Sequence, residues 1–155
     1  VRALGEWLAD ARTCALEELS LRACWLGSEA ISVLATALAR NPSTRLWRLD
    51  LGENPLLVVG LDETARGGSH DIGGVFALAH SLSAVAGQTR IEESFELSLA
   101  GTDGREPVYA LGGEGDSRDS AVCLAAGLLR APAVASLDLS DNPIGSQGAL
   151  AVAHA

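Results

Sequence analysis

Leu137-Asp-Leu139-Ser-Asp-Asn142-Pro-Ile144-Gly-Ser-Gln-Gly148-Ala-Leu150-Ala-Val152 decides the fold, because its design returns three times upstream. Leu137 and Leu139 alternate with polar residues up to a turn at Asn142 and Ile144, after which Gly148, Val152 and small residues take up helical spacing. The unit recurs at Leu19-Ser-Leu21-Arg-Ala-Cys24-Trp-Leu26, at Leu49-Asp-Leu51-Gly-Glu-Asn54-Pro-Leu56 and at Leu97-Ser-Leu99-Ala-Gly-Thr102. The turn residue falls at Cys24, Asn54, Thr102 and Asn142, so the spacings are 30, 48 and 40 residues. The two longer spacings predict insertions, at about 57–71 and 103–118.

Each unit reads as a short strand, a turn and a helix that returns the chain to start the next strand alongside, so the strands are expected to be parallel. Strands are predicted near 18–21, 48–51, 96–99 and 136–139. Helices are predicted over 1–11, 28–40, 72–85 and 119–130, with a last one running to the end of the chain. In the first helix Leu4, Trp7, Leu8 and Ala11 form an apolar face; in the second, Ile31, Leu34 and Leu38 face inward and Ser28 stands where an N-cap belongs. Asn54, Thr102 and Asn142 have short polar side chains that suit backbone groups left unpaired at a turn. Cys24 is expected to serve there only weakly, as a small buried near-hydrophobe.

This pattern, Leu-x-x-Leu-x-Leu-x-x-Asn/Cys-x-Leu followed by an Ala-rich helical half, resembles the leucine-rich repeat of the ribonuclease-inhibitor-like class. The resemblance covers nearly the whole chain and is weakest in the third copy, where Ser94 stands at a position that usually holds leucine. It implies an α/β leucine-rich-repeat solenoid: a horseshoe arc of about four repeats, parallel strands on the concave face and helices on the convex face, with residues 1–155 as one domain. The first dozen residues read as the helical half of a preceding unit and the last eight as an unfinished helix, so a longer parent array is expected. Relatives of this kind include inhibitors, immune sensor regions and an activator of a small GTPase. The resemblance therefore implies a protein-interaction module, with a GTPase-activating protein for a Ran-like small GTPase as the alternative.

Composition bounds the function classes. With 155 residues and 48% hydrophobic content the chain can bury one sizeable core, and no apolar run approaches the roughly 20 residues that span a membrane. No Gly-x-Ser-x-Gly elbow occurs, and the Gly-rich stretch 112–119 lacks both a following Gly-Lys-Ser/Thr and the alternating oxygen ligands of a calcium loop. His70, His80 and His154 are scattered. Cys14, Cys24 and Cys123 cannot all pair and lack zinc-site spacing, which predicts free thiols in a reducing compartment, the cytoplasm. No enzyme activity, cofactor or metal is expected. A net charge of −9, from 20 acidic against 11 basic residues, disfavours nucleic acid and anionic membrane and favours another protein with a basic surface.

The residues expected to face that partner are the outward positions of the strands. They align as three columns: Glu18, Arg48, Glu96 and Ser136; Ser20, Asp50, Ser98 and Asp138; and Arg22, Gly52, Ala100 and Ser140. Parallel strands lie about 4.8 Å apart, so four of them carry a patch on the order of 15 Å across, part of a standard interface. Trp47 and Phe95, just ahead of their strands, are expected as an aromatic rim beside the columns.

Overall fold

The computed structural model describes residues 1–10, 15–41, 44–56, 58–59, 69–86, 95–101, 134–142 and 144–154. In chain order the described elements are α1 (Arg2–Ala9), β1 (Glu18–Ser20), α2 (Ser28–Arg40), β2 (Arg48–Asp50), β3 (Val58–Val59), β4 (Ser69–His70), α3 (Gly73–Ala86), β5 (Phe95–Ser98), β6 (Val134–Asp138) and α4 (Gly145–Ala153). Four strands form one sheet in the order β1-β2-β5-β6, every neighbouring pair parallel. Among the described residues α2 lies between β1 and β2, α3 between β2 and β5, and α4 after β6, with α2 packing against α1 and α3. This is the α/β arrangement of a short leucine-rich-repeat arc of about four repeats.

Strand parity explains the sheet. Leu49, Leu51, Leu97 and Leu99 are all buried, whereas Leu19, Leu21, Leu137 and Leu139 in the outer units are half-buried against the same core. Successive side chains of a strand point to opposite faces, so the polar residues between these leucines are sent to the other side. The register is the one the repeat implies: Leu19 opposite Leu49, Leu49 opposite Leu97 and Leu97 opposite Leu137. The ladder runs on past the strands, with Ala23, Glu53 and Gly101 donating their backbone N–H to the carbonyls of Gly52, Ala100 and Ser140 in the next unit (3.0, 2.7 and 2.9 Å).

Helix α2 buries Ile31, Leu34, Ala35 and Leu38, the i, i+3, i+4, i+7 stripe of an amphipathic helix. Its beginning differs from expectation. Ser28 is the first helical residue, after Gly27, and makes no cap hydrogen bond to its own helix. Its fully buried hydroxyl instead donates to Asp71 Oδ2 (2.9 Å) and accepts from the Gly74 N–H (2.8 Å), while Asp71 Oδ1 accepts from the Gly73 N–H (2.8 Å). Ser28 thus satisfies an otherwise orphaned donor in the first turn of the neighbouring helix α3. The approach is close: a Cβ at Gly74 would lie 2.5 Å from the Ser28 carbonyl oxygen. At the other end of α2, buried Asn41 donates through Nδ2 to the Leu8 carbonyl (2.8 Å) and so ties α2 to α1. In α1 itself Leu8 is buried, but Trp7 is exposed rather than inward.

Within the stretch predicted as an insertion at 57–71, β3 and β4 pair antiparallel, Val58 with His70 and Val59 with Ser69, so its two ends are joined. The insertion predicted at 103–118 and the helix predicted over 119–130 lie outside the described residues, as do Cys14, Cys123 and Thr102.

Candidate functional site: the concave sheet face

The turns that end the strands set the frame of this face. Ala23, Glu53 and Asp141, each immediately before a turn residue, have φ of +54°, +57° and +59°. This left-handed region reverses the chain direction and is uncommon for residues other than glycine. The turn residue then closes the unit. Asn54, fully buried, accepts at Oδ1 from the N–H groups of Cys24 (2.9 Å) and Leu26 (3.0 Å) in the preceding unit. Its Nδ2 donates to the carbonyls of Leu21 (2.8 Å), Leu51 (2.9 Å) and Gly52 (3.0 Å). Asn142 does the same for the fourth unit, donating to Leu99 (2.7 Å), Leu139 (3.3 Å) and Ser140 (3.2 Å). Cys24 corrects the expectation of a buried turn residue. It is an exposed free thiol whose Sγ reaches only the Arg22 carbonyl at 3.4 Å, because Asn54 of the next unit already satisfies the turn from outside.

The first two polar columns stand side by side on the sheet. Glu18 pairs with Arg48, Arg48 with Glu96 and Glu96 with Ser136; Ser20 pairs with Asp50, Asp50 with Ser98 and Ser98 with Asp138. In the first column the Arg48 guanidinium sits between two carboxylates, 3.8 Å from Glu18 and 3.6 Å from Glu96. These side chains are roughly half exposed, and ion pairs of that kind add only about 0–1 kcal/mol each. In the second column serines and aspartates alternate, and each serine hydroxyl donates to the aspartate of the next unit: Ser20 to Asp50 (3.5 Å) and Ser98 to Asp138 (3.4 Å). Each aspartate also accepts the backbone N–H two residues on, Asp50 from Gly52 (2.9 Å) and Asp138 from Ser140 (3.0 Å).

The third column departs from expectation. Gly52 and Ala100 are buried, and the half-buried Arg22 lies across Gly52, where an added Cβ would meet its Nη1 at 2.5 Å. Arg22 pairs with Glu53 and approaches Asp50 Oδ1 to 3.7 Å, so it is held in the face rather than projecting from it. A glycine at 52 leaves room for a long side chain from the neighbouring strand to fold over. Together Arg22, Arg48, Asp50, Glu96, Ser98 and Asp138 border a shallow depression of about 310 Å³.

The predicted aromatic rim is also corrected. Phe95 is buried in the core and Trp47 is half-buried. Phe95 stands two residues before the inward Leu97 and shares its face; β5 begins at Phe95 and extends that inward alternation. Parity in the sequence carried this signal. Trp25, for which the sequence set no expectation, is 68% exposed in the β1–α2 connection with φ +54°. His80 and His154 are exposed and belong to different units, and among the described residues no group of three or more His, Cys, Asp or Glu is placed to hold a metal ion. No described helix is long and apolar enough to cross a membrane.

Asp138 has its carboxyl held below the ordinary 3.8, first by the Ser140 hydroxyl (2.6 Å) and backbone N–H, then by Ser98 and the positive field of Arg22, with partial burial opposing them. Hydrogen bonds to the charged form favour it. A carboxyl whose folded pKa is lowered contributes stability that is fully present above its unfolded value, near pH 4, and is lost as pH falls through the lowered folded value. Ser140→Ala is therefore expected to move the Asp138 titration upward toward the ordinary carboxylate value, read by NMR of its side-chain carboxyl carbon. An unmoved titration would remove Ser140 as its main cause.

No curated protein matches the chain. Residues 134–153, which contain β6, the Asn142 turn and α4 through its last residue, match the family model described as Leucine Rich repeat, and the fourth unit of the arc is on this ground a leucine-rich repeat.

Proposed function

We propose that the chain is a non-catalytic protein-binding module, of the ribonuclease-inhibitor-like class of leucine-rich repeats, whose concave sheet face receives a basic surface of another protein. A leucine-rich repeat generally serves protein binding. The observation that carries the finer reading is the Ser20–Asp50–Ser98–Asp138 row, four registered polar residues on a sheet whose other face carries the buried leucines. Its carboxylates keep their orientation through backbone N–H groups, which lowers the entropy lost when a partner's lysine or arginine arrives. The net charge of −9 adds a long-range attraction for such a partner. A cytoplasmic setting belongs to the same proposal and rests on the three cysteines that cannot all pair.

Asp50→Lys combined with Asp138→Lys tests this reading. A partner captured with the unaltered chain is purified, and its association rate is measured with both proteins at two salt concentrations. The double variant is expected to associate at least about tenfold more slowly, with a weaker salt dependence. Unchanged kinetics, alongside loss of binding on changing the exposed Phe76 of α3, would move the interface to the helical side. Accelerated GTP hydrolysis by a captured small GTPase would make the chain an activator instead.

A further inference from the structure

Trp25 is the most exposed of the large hydrophobic side chains among the described residues, at 68%. Its position is not the slack of a loose loop. The N–H groups on either side of it, those of Cys24 and Leu26, both donate to Asn54 Oδ1, at 2.9 and 3.0 Å. With both neighbours tied to one buried oxygen, the residue between them is turned outward and adopts φ +54°, a left-handed conformation that bulky side chains avoid. The bond that closes the first unit onto the second therefore also presents the indole to solvent. The preceding Ala23 N–H reaches the Gly52 carbonyl at 3.0 Å, which places this connection beside the second turn, where Arg22, Asp50 and Glu53 meet.

We propose that Trp25 is the aromatic anchor of the concave interface and takes the cationic side chain, arginine or lysine, of a basic partner segment that runs along the carboxylate row to the rim of the sheet. This rests on the proposed binding of a basic protein and adds the residue that gives it a fixed end. An indole face attracts a cation through its quadrupole, and tryptophan is among the residues most enriched at binding hot spots. The charge around it selects the occupant: the chain carries 20 acidic residues against 11 basic ones, and nearby Arg22 is engaged by Glu53 and Asp50.

Trp25 is one of three tryptophans, so Trp7→Phe with Trp47→Phe leaves it as the sole indole reporter. Hexa-arginine titrated into this variant at low salt is expected to give a saturable change in emission, and hexaglutamate none. With fluorescein-labelled hexa-arginine and the otherwise unaltered chain, Trp25→Ala is expected to raise Kd at least about fivefold and Trp25→Tyr to restore most of it. Trp25→Gly should weaken binding equally while leaving Tm unchanged or higher by about 2–4 °C, since glycine accepts the left-handed backbone freely. A clear fall in Tm for Trp25→Gly would make the indole a structural group and overturn the proposal. An unchanged Kd in Trp25→Ala, with Asp50→Lys plus Asp138→Lys still weakening the peptide, would remove the anchor and leave the carboxylate face standing. Failure of hexa-arginine to bind the unaltered chain would overturn both.

Discussion

Asn54→Ala is expected to destabilise the fold by on the order of 3–5 kcal/mol, read as a drop in the urea midpoint followed by far-ultraviolet circular dichroism. The side chain is fully buried and serves five backbone groups at once, two N–H donors and three carbonyls, drawn from two adjacent units. Alanine leaves these donors and acceptors in place without partners, at a position whose own side chain has no exposed surface. Each buried group left unpaired costs about 1–3 kcal/mol, with some recovered by relaxation. Asn142→Ala provides the comparison. That side chain is only half-buried, so water can take up part of what the substitution leaves unpaired, and a cost of about 1–2 kcal/mol is expected. Cys24→Ala, at an exposed thiol, should stay within about 0.5 kcal/mol. If Asn54→Ala cost no more than Asn142→Ala, the turn side chain would not be what joins the first two units.

Leu49→Asp is the second large effect, expected to unfold the middle of the arc at a cost of roughly 5 kcal/mol or more. Leu49 is 2% exposed, lies between Leu19 and Leu97 in register, and belongs to the single core that the units share. A carboxylate there has no partner and either stays charged in an apolar medium or takes up a proton at a cost. Two neighbours on the other side of the same strands serve as controls. Glu18→Ala, whose side chain is 57% exposed in a loose ion pair, should change stability by less than about 0.5 kcal/mol. Asp50→Ala should cost about 1 kcal/mol, because the Gly52 N–H loses its acceptor. Leu49→Asp melting like the parent would mean that the inward and outward faces of β2 are exchanged.

The sequence by itself determined the parts of this protein that depend on period and parity. Leucines two apart must share a face of a strand, and the asparagines at 54 and 142 meet equivalent carbonyls in their two units, so the parallel sheet and the Glu18 and Ser20 rows were legible without coordinates. The same parity places Phe95 inward with Leu97, and the rim expectation overlooked it. Only the tertiary structure decided the contacts that bridge units, because their partners lie far apart in the chain and no local pattern marks them. Ser28 reads as the cap of its own helix, yet its hydroxyl serves Asp71 and Gly74, which are brought to it by the return of the chain through β3 and β4. Arg22 reads as an open column position, yet the missing side chain at Gly52 lets it fold onto Glu53 and Asp50 of the next unit. Trp25 could as easily have packed inward; two hydrogen bonds from its neighbours to a single oxygen of Asn54, 28 and 30 residues away, turn it out to solvent.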